Sequence, residues 1–159
     1  MLGRGKRDRK RETDVAVGGE RERETDPVDR ERGGRTDAVG PELDQVIEAA
    51  FRELTGAEIV AFGGVGIAST VLPVTEAYRV IERLLPEQGE QLQPRLTALL
   101  AGASPAGRVY AATLLDRLDP EVGRSAWAAL RADPAGFTLF SGCVIRQATI
   151  AEYAAGYLR

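Results

Sequence analysis

The 159-residue sequence predicts an all-α fold: five to six helices packed as one compact multi-helix domain behind a disordered N-terminal tail. Three observations lead there. The first 41 positions crowd together 11 basic and 10 acidic side chains, while the other 24 charges are spread over the remaining 118 residues. Beyond that boundary, apolar residues recur at the helical period of about 3.6. Cap residues then stand directly before Pro, or three positions before Glu, where helices begin.

Residues 1–41 contain few aliphatic side chains and no aromatic, so they bury too little apolar surface to offset the entropy of ordering a backbone. Gly40-Pro41 closes this tail, and the helical domain is expected over 42–159. Leu43, Val46, Ile47, Ala50, Phe51 and Leu54 form the stripe of a first helix, with Gly56 as its stop. Val74, Ala77, Tyr78, Ile81, Leu84 and Leu85 form a second, which Pro86 is expected to end. Leu92, Leu96, Leu99 and Leu100 mark a third, starting near Gln93 so that Pro94 falls in its first turn. Ser104-Pro105 and Asp119-Pro120 each set a capping oxygen before a Pro whose missing N–H costs nothing at that position. Thr149 and Glu152 have the spacing of a capping box, opening a last helix with Ile150, Tyr153, Ala154, Tyr157 and Leu158 on its face.

Two stretches break the helical pattern. Glu58 to Thr70 (EIVAFGGVGIAST) and Gly136 to Ile145 (GFTLFSGCVI) are interrupted by Gly and rich in residues that favour extended backbone, which admits a short two-strand contact between them.

Composition excludes whole reaction classes. With no His, neither a Ser-His-Asp nor a Cys-His nucleophile pair can be assembled. One Cys and no His leave too few ligands for zinc, and nothing in the sequence calls for a metal or another cofactor. Cys143 has no partner for an intramolecular disulfide, which fits a reducing, cytoplasmic location or simply a chain that needs no disulfide. Met1 to Arg11 is followed by more charge instead of an apolar run, so no export signal is visible. The longest uncharged run, Ile59 to Thr75, has 17 residues broken by Gly and Pro, short of the roughly 20 apolar residues of a membrane span.

SPAG at Ser104 to Gly107 returns as DPAG at Asp133 to Gly136, 29 residues later, and both follow the Leu-Ala-rich end of a helix. Repeats at this period build solenoids. The intervening segment, Pro94 to Asp133, resembles HEAT-like helical repeats: a Leu-rich helix, a turn with a small polar residue and Pro, then Arg108 with Ala111 and Ala112, and Arg124 with Ala126. The resemblance implies recognition by surface shape, usually of another protein. It spans little more than one unit, which points to a closed domain of HEAT-like geometry and not to an open superhelix.

Several residues are candidates for a site. Gly63, Gly64 and Gly66 followed by Ser69 and Thr70 suggest an anion-binding turn, since consecutive backbone N–H groups can cradle a phosphate. The spacing matches neither a P-loop nor a GxGxxG fingerprint, and no Lys follows position 10, so a tight structural turn is the competing reading. Cys143 is a candidate thiol with Arg146 as its nearest cation, weighed against a small buried hydrophobe in an apolar run. Arg108, Arg124 and Arg131 sit on consecutive helices as a candidate basic ridge, against the alternative of separate solvated side chains. Trp127 is either core or an interface anchor.

Together these features favour a non-enzymatic helical module that binds a protein partner. A second reading makes the chain a small enzyme or ligand-binding domain using the Gly63–Thr70 turn and Cys143. A third invokes nucleic acid: the tip, residues 1–11, carries six basic side chains against Asp8 and has the charge to meet phosphates.

Overall fold

A computed structural model of the chain describes residues 40–158. Residues 1–39 of the expected tail, the basic tip included, lie outside the described residues, while Gly40-Pro41, expected to close the tail, form the start of the first helix. Five helices, α1 (Gly40–Thr55), α2 (Pro73–Gly102), α3 (Pro105–Leu118), α4 (Pro120–Leu130) and α5 (Ile150–Tyr157), account for most of the fold. The all-α expectation needs one correction, because three strands also form: β1 (Ile59–Val60), β2 (Gly136–Ser141) and β3 (Val144–Thr149), in the order β1-β2-β3. β1 pairs parallel with β2 through Ile59 opposite Thr138 and Val60 opposite Leu139, joining the two stretches that escaped the helical period. β2 and β3 are antiparallel, from Gly136 opposite Thr149 to Ser141 opposite Val144. Gly142, at φ 61°, takes the first central position of the two-residue turn between them, where a type II′ hairpin requires Gly.

The second correction concerns the prolines. Pro86 does not end a helix and Pro94 does not start one; both lie inside the 30-residue α2. Pro86 withdraws one N–H from the ladder, and the chain absorbs this locally, bending at Gln88 (φ −123°, ψ 15°) and then resuming its helical course. Tertiary packing overrides the local break. Gly89, just past the bend, is buried against the end of α3, where any side chain would run into Leu118.

The cap signals act where the sequence places them. Ser104 Oγ accepts the Gly107 N–H and donates to the Ala57 carbonyl, while the Ser104 N–H donates to Thr55, so one residue opens α3 and ties it to the end of α1. Asp119 accepts from the N–H groups of Glu121 and Val122 at the start of α4. Both halves of the Thr149–Glu152 capping box are present at α5. The second copy of the tetrapeptide acts differently: Asp133 Oδ1 accepts the Ala135 N–H in an Asx turn, and a strand follows.

α3 is the centre of the molecule. Val109, Tyr110, Ala111, Ala112, Leu114 and Leu115 are all buried, so this helix is covered on nearly every side, as its weakly amphipathic sequence requires. α2 packs along α1 and α3, and α4 along α3. The α3–α4 approach depends on Gly123, where a Cβ would overlap the backbone of Asp116. Val60, Phe137, Leu139 and Ala148 turn one face of the sheet into this core. By the two-residue alternation of strands, Thr138, Phe140, Ile145 and Gln147 occupy the opposite face, where Gln147 donates to Thr138 Oγ1 at 3.0 Å.

Candidate functional site

The two Gly-containing stretches meet at one end of the sheet. Just after β1 the backbone is clamped at Ala61: its N–H donates to Tyr110 Oη (2.7 Å), and its carbonyl accepts from Tyr110 Oη (3.0 Å) and Thr75 Oγ1 (2.7 Å). Phe62 continues the clamp by packing edge-on against Tyr78 and Tyr110, with ring centroids 5.0 and 5.2 Å away. Burial pushes the Tyr110 hydroxyl up to about 12 and raises Tyr78 in the same way, so both rings are neutral structural groups at ordinary pH.

Beyond this anchor the chain makes a small hairpin. Val65 and Thr70 exchange both backbone hydrogen bonds (2.8 and 3.0 Å), and Ser69 N–H donates to the Gly66 carbonyl (3.1 Å). Gly66 is at φ 70°, and Ser69 is the one non-Gly residue at positive φ (51°) among the described residues. Gly64 lies against the Ser69 backbone so closely that a Cβ would come within 2.5 Å of its carbonyl oxygen. Close approach to the Ser69 backbone is thus the visible task of Gly64, and a positive φ that of Gly66.

One hydrogen bond joins this loop to the β2–β3 turn, from Gly66 N–H to the Gly142 carbonyl at 3.1 Å. Between the two lies an open cleft of about 360 Å³, lined by Phe62, Gly63, Gly64, Leu139, Phe140, Ser141, Gly142, Arg146 and Tyr153. Arg146 is its single cation. Tyr153, on α5, is held neutral by burial, with the neighbouring Tyr157 hydroxyl acting in the same direction. A neutral phenol and one guanidinium can hold an anionic or polar group, but they supply no base titrating near pH 7. Among the described residues no group of three or more His, Cys, Asp or Glu is placed to hold a metal ion.

Large apolar side chains are exposed on the two segments that the Gly66–Gly142 hydrogen bond joins. Ile67 is 99% exposed at the tip of the small hairpin, and Val144 and Ile145 are each 61% exposed on β3. Cys143 is exposed in the turn beside them, which overturns the expectation of a thiol buried in the core. The reason is the turn itself: Gly142 and Cys143 are its two central residues, and such positions project away from a sheet. Sequence reasoning singled out neither Ile67 nor the Val144–Ile145 pair; a Gly-Cys dipeptide between alternating apolar residues was the signal that could have found the hairpin.

The remaining candidates lie elsewhere. Arg108 is ion-paired with Asp133, whose own carbonyl accepts the Ala151 N–H, so it ties α3 to the turn before β2 and to the start of α5. Arg124 and Arg131 are exposed, on α4 and at its C-cap. Trp127 is 1% exposed, stacked on Tyr157 with centroids 4.2 Å apart and planes at 15°, and its Nε1 has no hydrogen-bond partner. No helix of the described residues is long and apolar enough to cross a membrane. No protein-family model, no curated protein and no solved structure matches the chain.

Proposed function

We propose that this protein is a non-enzymatic interaction module, in which a HEAT-like helical scaffold presents the end of a small sheet to a protein partner. The reading rests on one observation: Ile67, Val144 and Ile145 are the three most exposed large apolar side chains among the described residues, and they lie on the two segments that the Gly66–Gly142 hydrogen bond joins. Large apolar side chains left in water on neighbouring segments of a fold mark sites that bury them against something else. The helical half of the proposal is supported by α3 and α4, two capped antiparallel-capable helices that begin with Pro and close tightly at Gly123. Native co-purification with the full chain tests it. A partner retained by the wild type and by Arg124→Glu, and lost with Ile67→Asp/Val144→Asp/Ile145→Asp, is the expected result. Equal retention by the triple variant refutes it.

A second reading makes the cleft a ligand site or a small active site, and the Gly66–Gly142 contact favours it because it sets Cys143 beside the glycine turn. It requires rapid labelling of Cys143 at neutral pH and a small molecule that protects the thiol. Labelling at the rate of a free peptide thiol, unaffected by any ligand, removes this reading.

A further inference from the structure

The sheet ends in an unpaired edge, and the hairpin geometry dictates which groups that edge offers. In a two-residue hairpin the closing pair, here Ser141 and Val144, is hydrogen-bonded, so the pairing alternates from there along β3. Arg146 and Ala148 turn their backbone groups toward β2. Ile145, Gln147 and Thr149 turn theirs away from it. Thr149 confirms the alternation, since its N–H goes to Glu152 Oε2 (2.9 Å) and not to β2. The free edge therefore consists of the N–H and C=O of Ile145 and Gln147, with the capping box closing its far end.

Such an edge can pair with a second copy of the chain or with a different one, and charge separates the two. Antiparallel self-pairing that uses every outward group of both strands must put Ile145 opposite Gln147 of the second copy. That register brings Arg146 directly against Arg146 of the second copy in the closer, non-hydrogen-bonded type of pair. Sliding by two residues one way runs into the Thr149–Glu152 cap, and the other way into the Gly142–Cys143 turn. A like-charge pair at the centre of an edge is a recognised barrier to self-association. Arg146 also has no ion-pair partner among the described residues, and Glu152, the carboxylate that feels its charge, is occupied by the capping box.

We infer that the β3 edge takes up an extended segment of a partner protein in antiparallel register, with an Asp or Glu of that segment opposite Arg146. The inference rests on the docking reading above and adds its mode and its chemistry. Backbone bonds to Ile145 and Gln147 supply the pairing; the acid facing Arg146 supplies selectivity; the exposed Ile145 side chain covers the apolar residues of the added strand.

The full chain is titrated, up to millimolar, with a blocked heptapeptide of alternating Thr and Val with Glu at its centre, and with the same peptide carrying Lys there. Expected are slower amide exchange at Ile145 and Gln147 but not at Arg146, and binding of the Glu peptide about fivefold or more tighter than the Lys peptide. Arg146→Ala should erase that preference. Gln147→Pro removes one outward N–H without touching the β2 ladder, and should abolish binding. If this variant fails to fold, a peptide N-methylated at alternate amides tests the same bonds on the wild type. Unchanged exchange at Ile145 and Gln147, or equal binding of the two peptides, overturns the inference. A partner that is lost with the Ile67, Val144 and Ile145 substitutions but kept by a folded Gln147→Pro overturns strand addition alone and leaves the docking face standing.

Discussion

Replacing Tyr110 with Phe isolates the clamp that positions the glycine loop. The ring stays and keeps its contacts with Phe62 and Tyr78, so only the hydroxyl is lost. Ala61 is 1% exposed, and its carbonyl retains the Thr75 bond, but its N–H loses its partner and has no water to turn to. An orphaned buried donor costs about 1–3 kcal/mol, so a destabilisation of about 2 kcal/mol is expected. With a urea dependence of about 1–3 kcal/mol per molar, the midpoint should fall by about 1 M, measured by far-ultraviolet circular dichroism at pH 7. Amide exchange in the Val65–Thr70 hairpin should quicken as well. Alkaline titration gives an independent check. The folded hydroxyl is raised by desolvation to about 12 from an ordinary value near 10, so its neutral form is favoured in the fold. That contribution is complete below pH 10 and is lost as pH rises toward 12, and the gap between wild type and Tyr110→Phe should narrow over that window. A midpoint shift under about 0.3 M, or a gap independent of pH, would refute the clamp.

Other substitutions probe the remaining joints. Arg108→Met leaves Asp133 without its cation in a largely covered site, and should cost about 2 kcal/mol in urea denaturation; a loss below about 0.5 kcal/mol would make the pair a surface ornament. Trp127→Ala removes the platform under Tyr157 and should cost about 3–5 kcal/mol, with faster exchange throughout α5, whereas an α5 that stays protected would contradict the packing. The Thr149 N–H and hydroxyl hold the Glu152 carboxyl below its usual range, so its stabilising effect is present above the ordinary Glu value near 4.3 and is lost as pH falls through the depressed one. Thermal scans of wild type and Glu152→Gln should therefore differ at pH 7 and converge in acid; a constant difference would exclude this titration.

What the sequence disclosed was whatever is encoded locally. Ser104, Asp119 and Thr149 each cap with their own side chain within three residues, so a reader of the chain needs no tertiary knowledge to find α3, α4 and α5. Pro86 was misread for the complementary reason: its local cost is real, but Gly89 against Leu118 and the buried residues on both sides of the bend hold α2 on one course. The repeated PAG illustrates the limit within a single motif. After Ser104 it opens a helix, while after Asp133 the paired Arg108 and the bonds to α5 turn the same letters into the start of a strand.

The candidate site lies furthest beyond local reading, because nothing in it is close in sequence except the hairpin itself. β1 is two residues long and exists only because Ala61 beside it is gripped by Tyr110, forty-nine positions away, and because β2 arrives to pair with it. Without that grip the Gly63–Thr70 loop would have no fixed place opposite Gly142, and Ile67 would be an ordinary exposed loop residue. The clamp is therefore a positioning device: a polar bond spent deep in the helical core decides where an apolar surface appears in water. This also explains why Cys143, counted as core from its apolar neighbours, emerges at the surface. Val144 and Ile145 beside it are apolar and yet stand in water, and composition alone does not distinguish an apolar residue buried in its own fold from one exposed on an edge strand.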